Sequence, residues 1–297
     1  MKGIVILGPT AVGKTSLSIK LAKALNTEII SADSAQVYKG MNIGTAKVDE
    51  VEADGIYHHM IDIVEPIKKY NVGEYQREVN KILEKFEKDG KTPILVGGTG
   101  LYINSVTNGL AELPESDPIL REKLDRKSAE ELYEELERID SRAAKDIHPN
   151  NKRRVARAVE VFHLTGEKFS IISKRNIKRN NFEFIKIGLE RDREELYERI
   201  NLRVDLMIKG GLVEEVRKLY EKYGESIRKI NIIGYSELID YFKGEITLEE
   251  ATDKIKQNSR RYAKRQFTWF KNDPDIIWFD VNEISETEIL ERILELI

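Results

Sequence analysis

The sequence predicts an α/β protein: a doubly wound parallel sheet carrying an inserted helical domain. Three observations predict it. The apolar run Ile4-Val5-Ile6-Leu7 leads into Gly8-Pro9-Thr10-Ala11-Val12-Gly13-Lys14-Thr15, and Leu17, Leu21, Ala24 and Leu25 then recur on one helical face. Short apolar runs alternate with helical periodicities at both ends of the chain, the pattern of strands joined by crossover helices. Between them, the stretch that opens at Leu113-Pro114-Glu115-Ser116-Asp117-Pro118 is helical with no strand signal. Strand, Gly-rich turn and helix match G-x-x-x-x-G-K-[ST], which makes the sheet P-loop NTPase-like.

In chain order, Glu28-Ile29-Ile30-Ser31-Ala32-Asp33 reads as a second strand with a polar tip, and Ile61-Asp62-Ile63-Val64 as a shorter one stopped by Pro66. Val72 to Lys88 reads as a helix with Val79, Ile82, Leu83 and Phe86 on its apolar side, ended by Gly90. Pro93 to Val96 is a buried strand running into Gly97-Gly98-Thr99-Gly100. Asp140, Pro149 and Gly166 punctuate the helical stretch. Phe182 to Leu189 returns to strand character, and helices follow from about Arg193 to Ile208 and from Leu212, separated by Gly210-Gly211, a helix stop. Thr247 to Trp269 holds one long helix or two. Ile276-Ile277-Trp278-Phe279 is a last strand before a short terminal helix. The division is thus a core in two parts, 1–111 and 182–297, around a helical insertion, 112–181. In such sheets ligands sit at the carboxyl ends of the strands, where the phosphate loop, Asp33 and Thr99 all fall.

The 297 residues are 40% hydrophobic and 34% charged, with no apolar run long enough for a membrane span and no cysteine. Disulfides and thiolate metal sites are excluded; the absence of a leader-like start and of cysteine fits a cytoplasmic protein. Nothing calls for an obligate dimer, so a monomer is expected. The net charge of −3 hides three basic stretches. Lys145 to Arg157 contains five basic residues against Asp146. Lys168 to Arg179 and Lys254 to Lys271 contain no acid at all. An acidic chain can still offer a polyanion a basic face.

The chemistry begins at the loop. Its backbone amides and the positive end of the following helix cradle an anion, Lys14 adds a charge, and the Thr15 hydroxyl is offered to a phosphate-bound Mg²⁺. Residues Gly8 to Thr15 therefore bind a diphosphate or triphosphate, a nucleotide among the candidates. Asp33 stands either as a general base or as the cap of the following turn. These features alone leave open a nucleoside or nucleotide kinase, or an RNA-binding NTPase switch. The latter wants a Walker-B acid, for which Asp62 is the only substitute.

Three blocks narrow the choice. Gly8 to Thr15, then Ser31-Ala32-Asp33-Ser34-Ala35-Gln36-Val37-Tyr38-Lys39-Gly40-Met41-Asn42-Ile43-Gly44-Thr45-Ala46-Lys47, then Val96-Gly97-Gly98-Thr99-Gly100-Leu101-Tyr102 resemble the tRNA dimethylallyltransferases, also called tRNA isopentenyltransferases. His148-Pro149-Asn150, Arg154, Arg157 to Val161, Gly234-Tyr235 and Lys264 to Trp269 extend the resemblance over nearly the whole chain. It implies transfer of a dimethylallyl group from dimethylallyl diphosphate to the exocyclic amine of the adenosine 3′ of the anticodon, in tRNAs reading U-initial codons. It further implies Asp33 as general base, Thr10, Lys14 and Arg203 around the leaving diphosphate, and Mg²⁺ held at Thr15. Contacts with the tRNA anticodon stem-loop map to Asp33, Ser34, Ala35, Gln36, Thr99, Arg121, Arg153, Arg154 and Arg157, and to Asn231 through Ser236. Relatives often carry a basic residue where Asn231 and Ser236 stand here. The helical insertion is then a tRNA-binding unit, with a basic C-terminal helix at Arg260 to Arg265 meeting phosphates.

Two further readings are structural. His58-His59 lacks the ligand count of a zinc site and is read as part of a solvated or tRNA-facing loop. Trp269, Phe270, Trp278 and Phe279 are read as core, closing the C-terminal helix on the sheet.

Overall fold

The computed structural model describes residues 1–175 and 177–297; Asn176, and the side chain of Lys178 in the second basic stretch, lie outside the described residues. In chain order the elements are β1 (Lys2–Leu7), α1 (Lys14–Ala24), β2 (Ile29–Ser31), α2 (Glu50–Ala53), β3 (His58–His59), α3 (Val72–Lys88), β4 (Ile94–Gly97) and α4 (Gly100–Thr107). Then come β5 (Leu110–Ala111), α5 (Pro118–Asp125), α6 (Ala129–Ile139), α7 (Ser141–Asp146), α8 (Lys152–Thr165), α9 (Phe169–Ile172) and β6 (Ile177–Lys178). The chain closes with β7 (Glu183–Glu190), α10 (Arg193–Lys209), α11 (Leu212–Tyr223), α12 (Tyr235–Phe242), α13 (Leu248–Phe270), β8 (Ile276–Asp280) and α14 (Glu286–Glu295).

Six strands form one parallel sheet in the order β3-β2-β4-β1-β7-β8. Its two faces follow the strand period. Ile4 and Ile6 of β1, with Ile94, Ile187 and Leu189, pack against Leu17 and Leu21 of α1 and Ile289 and Ile293 of α14. Val5, Leu7 and Leu95 face the other way, onto Tyr75, Val79, Leu83 and Phe86 of α3 and Ile103 and Val106 of α4. Both faces are covered, so the central strands read as near-continuous apolar runs. A separate cluster, including Val204, Leu212, Val216, Leu238 and Ile255, joins α10 to α13.

The chain divides into two compact units, residues 1–107 with 180–297, and residues 108–179. The second unit packs Leu132 and Leu136 of α6 against Val155, Ala156 and Val159 of α8. It is not purely helical: Leu110↔Lys178 and Ala111↔Ile177 pair antiparallel where the chain enters and leaves it. A two-residue strand carries too few side chains to show a period, which is why the sequence hides it.

Other expectations are corrected. The third strand is His58–His59, not Ile61 to Val64. Met60 and Asp62 adopt left-handed φ values of 66° and 56°, which turn the chain, and Val64 makes only an isolated bridge to Tyr38. On α1 the buried arc is Leu17, Ser18, Ile19, Leu21 and Ala22; Ala24 is exposed. Trp269 is 49% exposed rather than core, whereas Phe270 and Phe279 are buried. Thr247 caps a single helix, α13, through Glu250 N–H.

Gly97 shows why the end of β4 must be glycine: an added Cβ would lie 2.2 Å from the Ala32 carbonyl oxygen. Gly97→Ala is expected to destabilise the protein by about 1–3 kcal/mol, the usual cost of overpacking. Urea unfolding at unchanged m-value reads it.

Candidate active site

The parallel register brings the carboxyl ends of β1, β2 and β4 side by side, so the loops that leave them share one end of the sheet. The phosphate loop leaves β1 with Gly8 at φ 143°, where a Cβ would meet Leu189 O at 2.6 Å. Ala11 and Gly13 also take positive φ, curling the loop before α1 begins. Arg199 and Arg203, one turn apart on α10, close over it. Arg199 Nε donates to Ala11 O at 3.0 Å, and Arg203 Nη1 donates to the Thr10 hydroxyl at 3.2 Å.

Gln266 of α13 ties this loop to the next. Its Oε1 accepts from Thr10 N–H at 3.0 Å and its Nε2 donates to Gly98 O at 3.0 Å. A Cβ on Gly98 would fall 2.0 Å from that Nε2, so glycine there is a condition of the bridge. Thr99 Oγ1 in turn accepts from Ser34 N–H at 3.0 Å, linking the turn after β4 to the one after β2. Asp33 Oδ1 accepts from Ala35 N–H at 2.8 Å; among the described residues no hydrogen bond engages its other oxygen. The Asp33 carboxylate thus caps its own turn and still presents a free acceptor.

Two cavities meet at Asp33. The smaller, ≈ 110 Å³, is lined by Lys14, Thr15, Ser31, Gln36, His58 and Gln266. The larger, ≈ 480 Å³, has an apolar side including Ile200, Val204, Met207, Ile232 and Ile233. Thr10, Asp33, Arg203 and Tyr262 line both. Asn231 and Ser236 line the larger one, with Ser34, Ala35 and Arg265.

Lys14 Nζ donates to Gly8 O at 3.0 Å and Pro9 O at 2.7 Å, folded back on its own loop. Burial, then the neighbouring Arg203, push its pKa down to about 7, and Asp33 offsets part of this. Burial also lowers the basicity of Arg203, which nevertheless keeps its charge. Tyr262 is pushed up to about 12 by burial and by Asp33, so its hydroxyl stays protonated.

Not every predicted residue offers a free polar end. Gln36 accepts from the Ser31 hydroxyl and donates to Thr45 O and Ala46 O, fixing the segment behind Asp33. That segment is anchored again by Glu215 of α11, whose carboxylate accepts from the N–H groups of Asn42, Ile43 and Gly44 and from the Tyr235 hydroxyl. Arg121, Arg153, Arg154 and Arg157 belong to the second unit. Arg157 Nη1 is 2.7 Å from the wholly buried Glu160 carboxylate, and Arg121 Nη1 is 3.6 Å from it. Arg153 and Arg154 are exposed and pair with no acid among the described residues.

His58 and His59 do not form a solvated loop. They pair with Ile29 and Ile30 on the sheet edge and point opposite ways. His59 Nε2 lies 2.7 Å from Glu28 Oε2, while His58 lines the smaller cavity with its pKa lowered, chiefly by burial.

Gln266, Tyr262, Arg199, Glu215, Glu160 and His58 escaped the sequence reading as site residues. Two had a signal. Gln266 and Glu160 are polar residues on buried helical faces, between Ala263 and Phe270 and beside Val159 and Val161. Such positions demand partners.

Residues 36–273 match the family described as IPP transferase. A curated relative, the tRNA dimethylallyltransferase of Fusobacterium nucleatum, is 59% identical over 295 residues, covering 99% of this chain and 97% of the relative. That of Anoxybacillus flavithermus is 50% identical over 293 residues, covering 98% and 93%. Among solved structures, the full-length tRNA isopentenylpyrophosphate transferase of Bacillus halodurans superposes with TM-score 0.74 at 42% identity, covering 99% of this chain and 95% of that one. A eukaryotic dimethylallyltransferase acting on tRNA superposes with TM-score 0.86 at 30% identity, covering 99% and 77%.

Two outcomes are expected. Gln266→Leu leaves Thr10 N–H and Gly98 O without their partner. It should cost about 1–3 kcal/mol in unfolding free energy and weaken binding of inorganic diphosphate, read by calorimetry. The second concerns pH. With a ligand-free pKa near 7, Lys14 is neutral above that pH and must take up a proton to face an anion. The affinity advantage of wild type over Lys14→Met for diphosphate should therefore be full below pH 7 and shrink above it, by up to about tenfold per pH unit. An advantage independent of pH between 6 and 9 would contradict this.

Proposed function

The chain belongs to the IPP transferase family and is a tRNA dimethylallyltransferase, and we propose that it moves a dimethylallyl group from dimethylallyl diphosphate to the exocyclic amine of the adenosine 3′-adjacent to the anticodon. The observation that carries this reading is the junction of the two cavities at Asp33, one lined by cationic and amide donors and the other partly apolar. The kinase and switch alternatives fall with the family assignment.

The steps follow from the residues. The prenyl carbon–oxygen bond breaks as the carbon–nitrogen bond forms, and negative charge grows on the departing diphosphate. Loop N–H groups, Arg203 and, once it swings from the Gly8 and Pro9 carbonyls, Lys14 meet that charge in a half-buried site. The amine loses its proton as it alkylates. The free oxygen of Asp33 receives it, while Ala35 N–H holds the carboxylate in place. The apolar side of the larger cavity receives the prenyl chain.

Among the described residues no cluster of three His, Cys, Asp or Glu could hold a metal unaided. That fits Mg²⁺, which binds through one or two protein oxygens together with substrate phosphates and keeps several waters. The Thr15 hydroxyl is the residue to hold it, with Asp33 in the same cavity. Bound there, it supplies charge neutralisation for the leaving group.

The base must leave its stack to reach Asp33, and single-stranded anticodon loops permit this. The exposed Arg153 and Arg154, with Arg261 and Lys264 on α13, are the phosphate contacts we assign. Among the described residues no helix is long and apolar enough to cross a membrane. We read the enzyme as a cytoplasmic monomer, on its cysteine-free composition and a core completed within one chain.

Incubated with undermodified tRNA, Mg²⁺ and dimethylallyl diphosphate, the protein should release diphosphate and prenylate the tRNA. Phosphorylation of a nucleoside from ATP without prenylation would overturn the reading. Asp33→Asn should lower kcat by about 10²–10⁴-fold, far more than it changes diphosphate affinity; a variant that keeps its turnover removes Asp33 as the base.

A further inference from the structure

The phosphate cavity contains a titratable side chain that the steps above do not employ. His58 pairs with Ile29 in the edge strand, and its ring lines the cavity together with Thr15, Ser31 and Asp33. Nδ1 lies 2.9 Å from the carbonyl oxygen of Ile56. A carbonyl only accepts, so Nδ1 carries the proton, and in the neutral ring Nε2 is left as an acceptor. No described residue donates to it.

Beside a bare diphosphate this acceptor has no partner, as is true of the open oxygen of Asp33 in the same cavity. The groups that would hold the diphosphate are donors: the loop N–H groups, Lys14 and Arg203. A lone pair facing a bare polyanion is repelled by it. The position makes chemical sense once a hydrated cation stands between them, because the waters on Mg²⁺ are strongly polarised donors and the ion gives them up reluctantly. The same cavity holds the Thr15 hydroxyl and the Asp33 carboxylate, the other oxygen groups suited to a cation. The Ile56 bond fixes the ring orientation, as a second partner commonly does for histidines near metals.

We infer that His58 is an outer-sphere ligand, its Nε2 accepting a hydrogen bond from a water on the Mg²⁺ that accompanies the diphosphate. This rests on the reading of the smaller cavity as the diphosphate site. His58 thereby sets the metal dependence of substrate binding without touching the anion.

The test titrates the full chain with inorganic diphosphate by calorimetry, once with Mg²⁺ and once with a chelator. His58→Asn keeps an amide N–H for Ile56 O but is too short to place its oxygen where Nε2 stood; His58→Gln offers an oxygen near that place. Outer-shell partners of metal sites are typically worth about 10–100-fold in affinity. His58→Asn should therefore weaken binding at least tenfold with Mg²⁺ and leave it unchanged without; His58→Gln should recover part of the loss. Equal losses with and without Mg²⁺ would mean that the ring contacts the anion itself. No loss in either condition would mean that His58 serves the strand alone. Either result overturns the inference, provided the variants melt at the wild-type temperature; His58→Gln serves if His58→Asn does not. The prenylation assay is separate: its failure alongside Mg²⁺-dependent diphosphate binding through His58 would overturn the proposed reaction and leave this inference standing.

Discussion

The site depends on holding two glycine-rich turns against each other. The phosphate loop after β1 and the turn after β4 leave adjacent strands, yet among the described residues no hydrogen bond joins them directly. One buried amide bridges them. Gln266 accepts from Thr10 and donates to Gly98, using both ends of its side chain. An amide suits the task because it is donor and acceptor at once and brings no charge into a cavity reserved for an anion. The absence of a side chain at Gly97 and Gly98 is the other half of the arrangement, admitting Ala32 O on one side and Gln266 on the other. The third turn, after β2, joins through Thr99 and Ser34, so Asp33 is positioned relative to the same frame.

Within that frame the electrostatics are unbalanced by design of the sequence. Lys14 and Arg203 are half-buried close together, and Asp33 is the nearby acid that favours both charges. Two clustered cations in a desolvated site are costly until an anion arrives. Lys14 meets the cost by bonding to Gly8 and Pro9 carbonyls and by losing basicity. The unliganded protein is thus poised for a polyanion, and the charge that a diphosphate brings is what restores an ordinary ammonium.

The core of this arrangement was legible because it lies in local patterns. The loop motif, the helix Val72–Lys88 and the strands around Ile4, Ile94 and Ile187 are long or distinctive enough to announce themselves. What could not be read was orientation. His58 and His59 are neighbours with opposite fates, decided by a two-residue strand whose pairing partner is distant in sequence. Trp269 and Phe270 likewise separate, because α13 buries Phe270 and turns Trp269 outward over Gly100. The carboxylates of Glu215 and Glu160 were hidden for a different reason. Their partners are backbone N–H groups and arginines brought together only by folding, and composition treats them as surface charge.

The antiparallel pairing of Ala111 with Ile177 gives the inserted unit a closed neck. Just outside it, Asn180 Nδ2 donates to Val106 O at 2.8 Å, so the core chain departs and resumes at almost one point. Seen from the sheet, the whole excursion is entropically a short loop, whose length enters only logarithmically: doubling it adds about 0.6 kcal/mol of closure cost. The neck therefore frees evolution to lengthen, shorten or exchange the helices between β5 and β6 while the register of β1, β4 and β7, and the chemistry it fixes, stays the same.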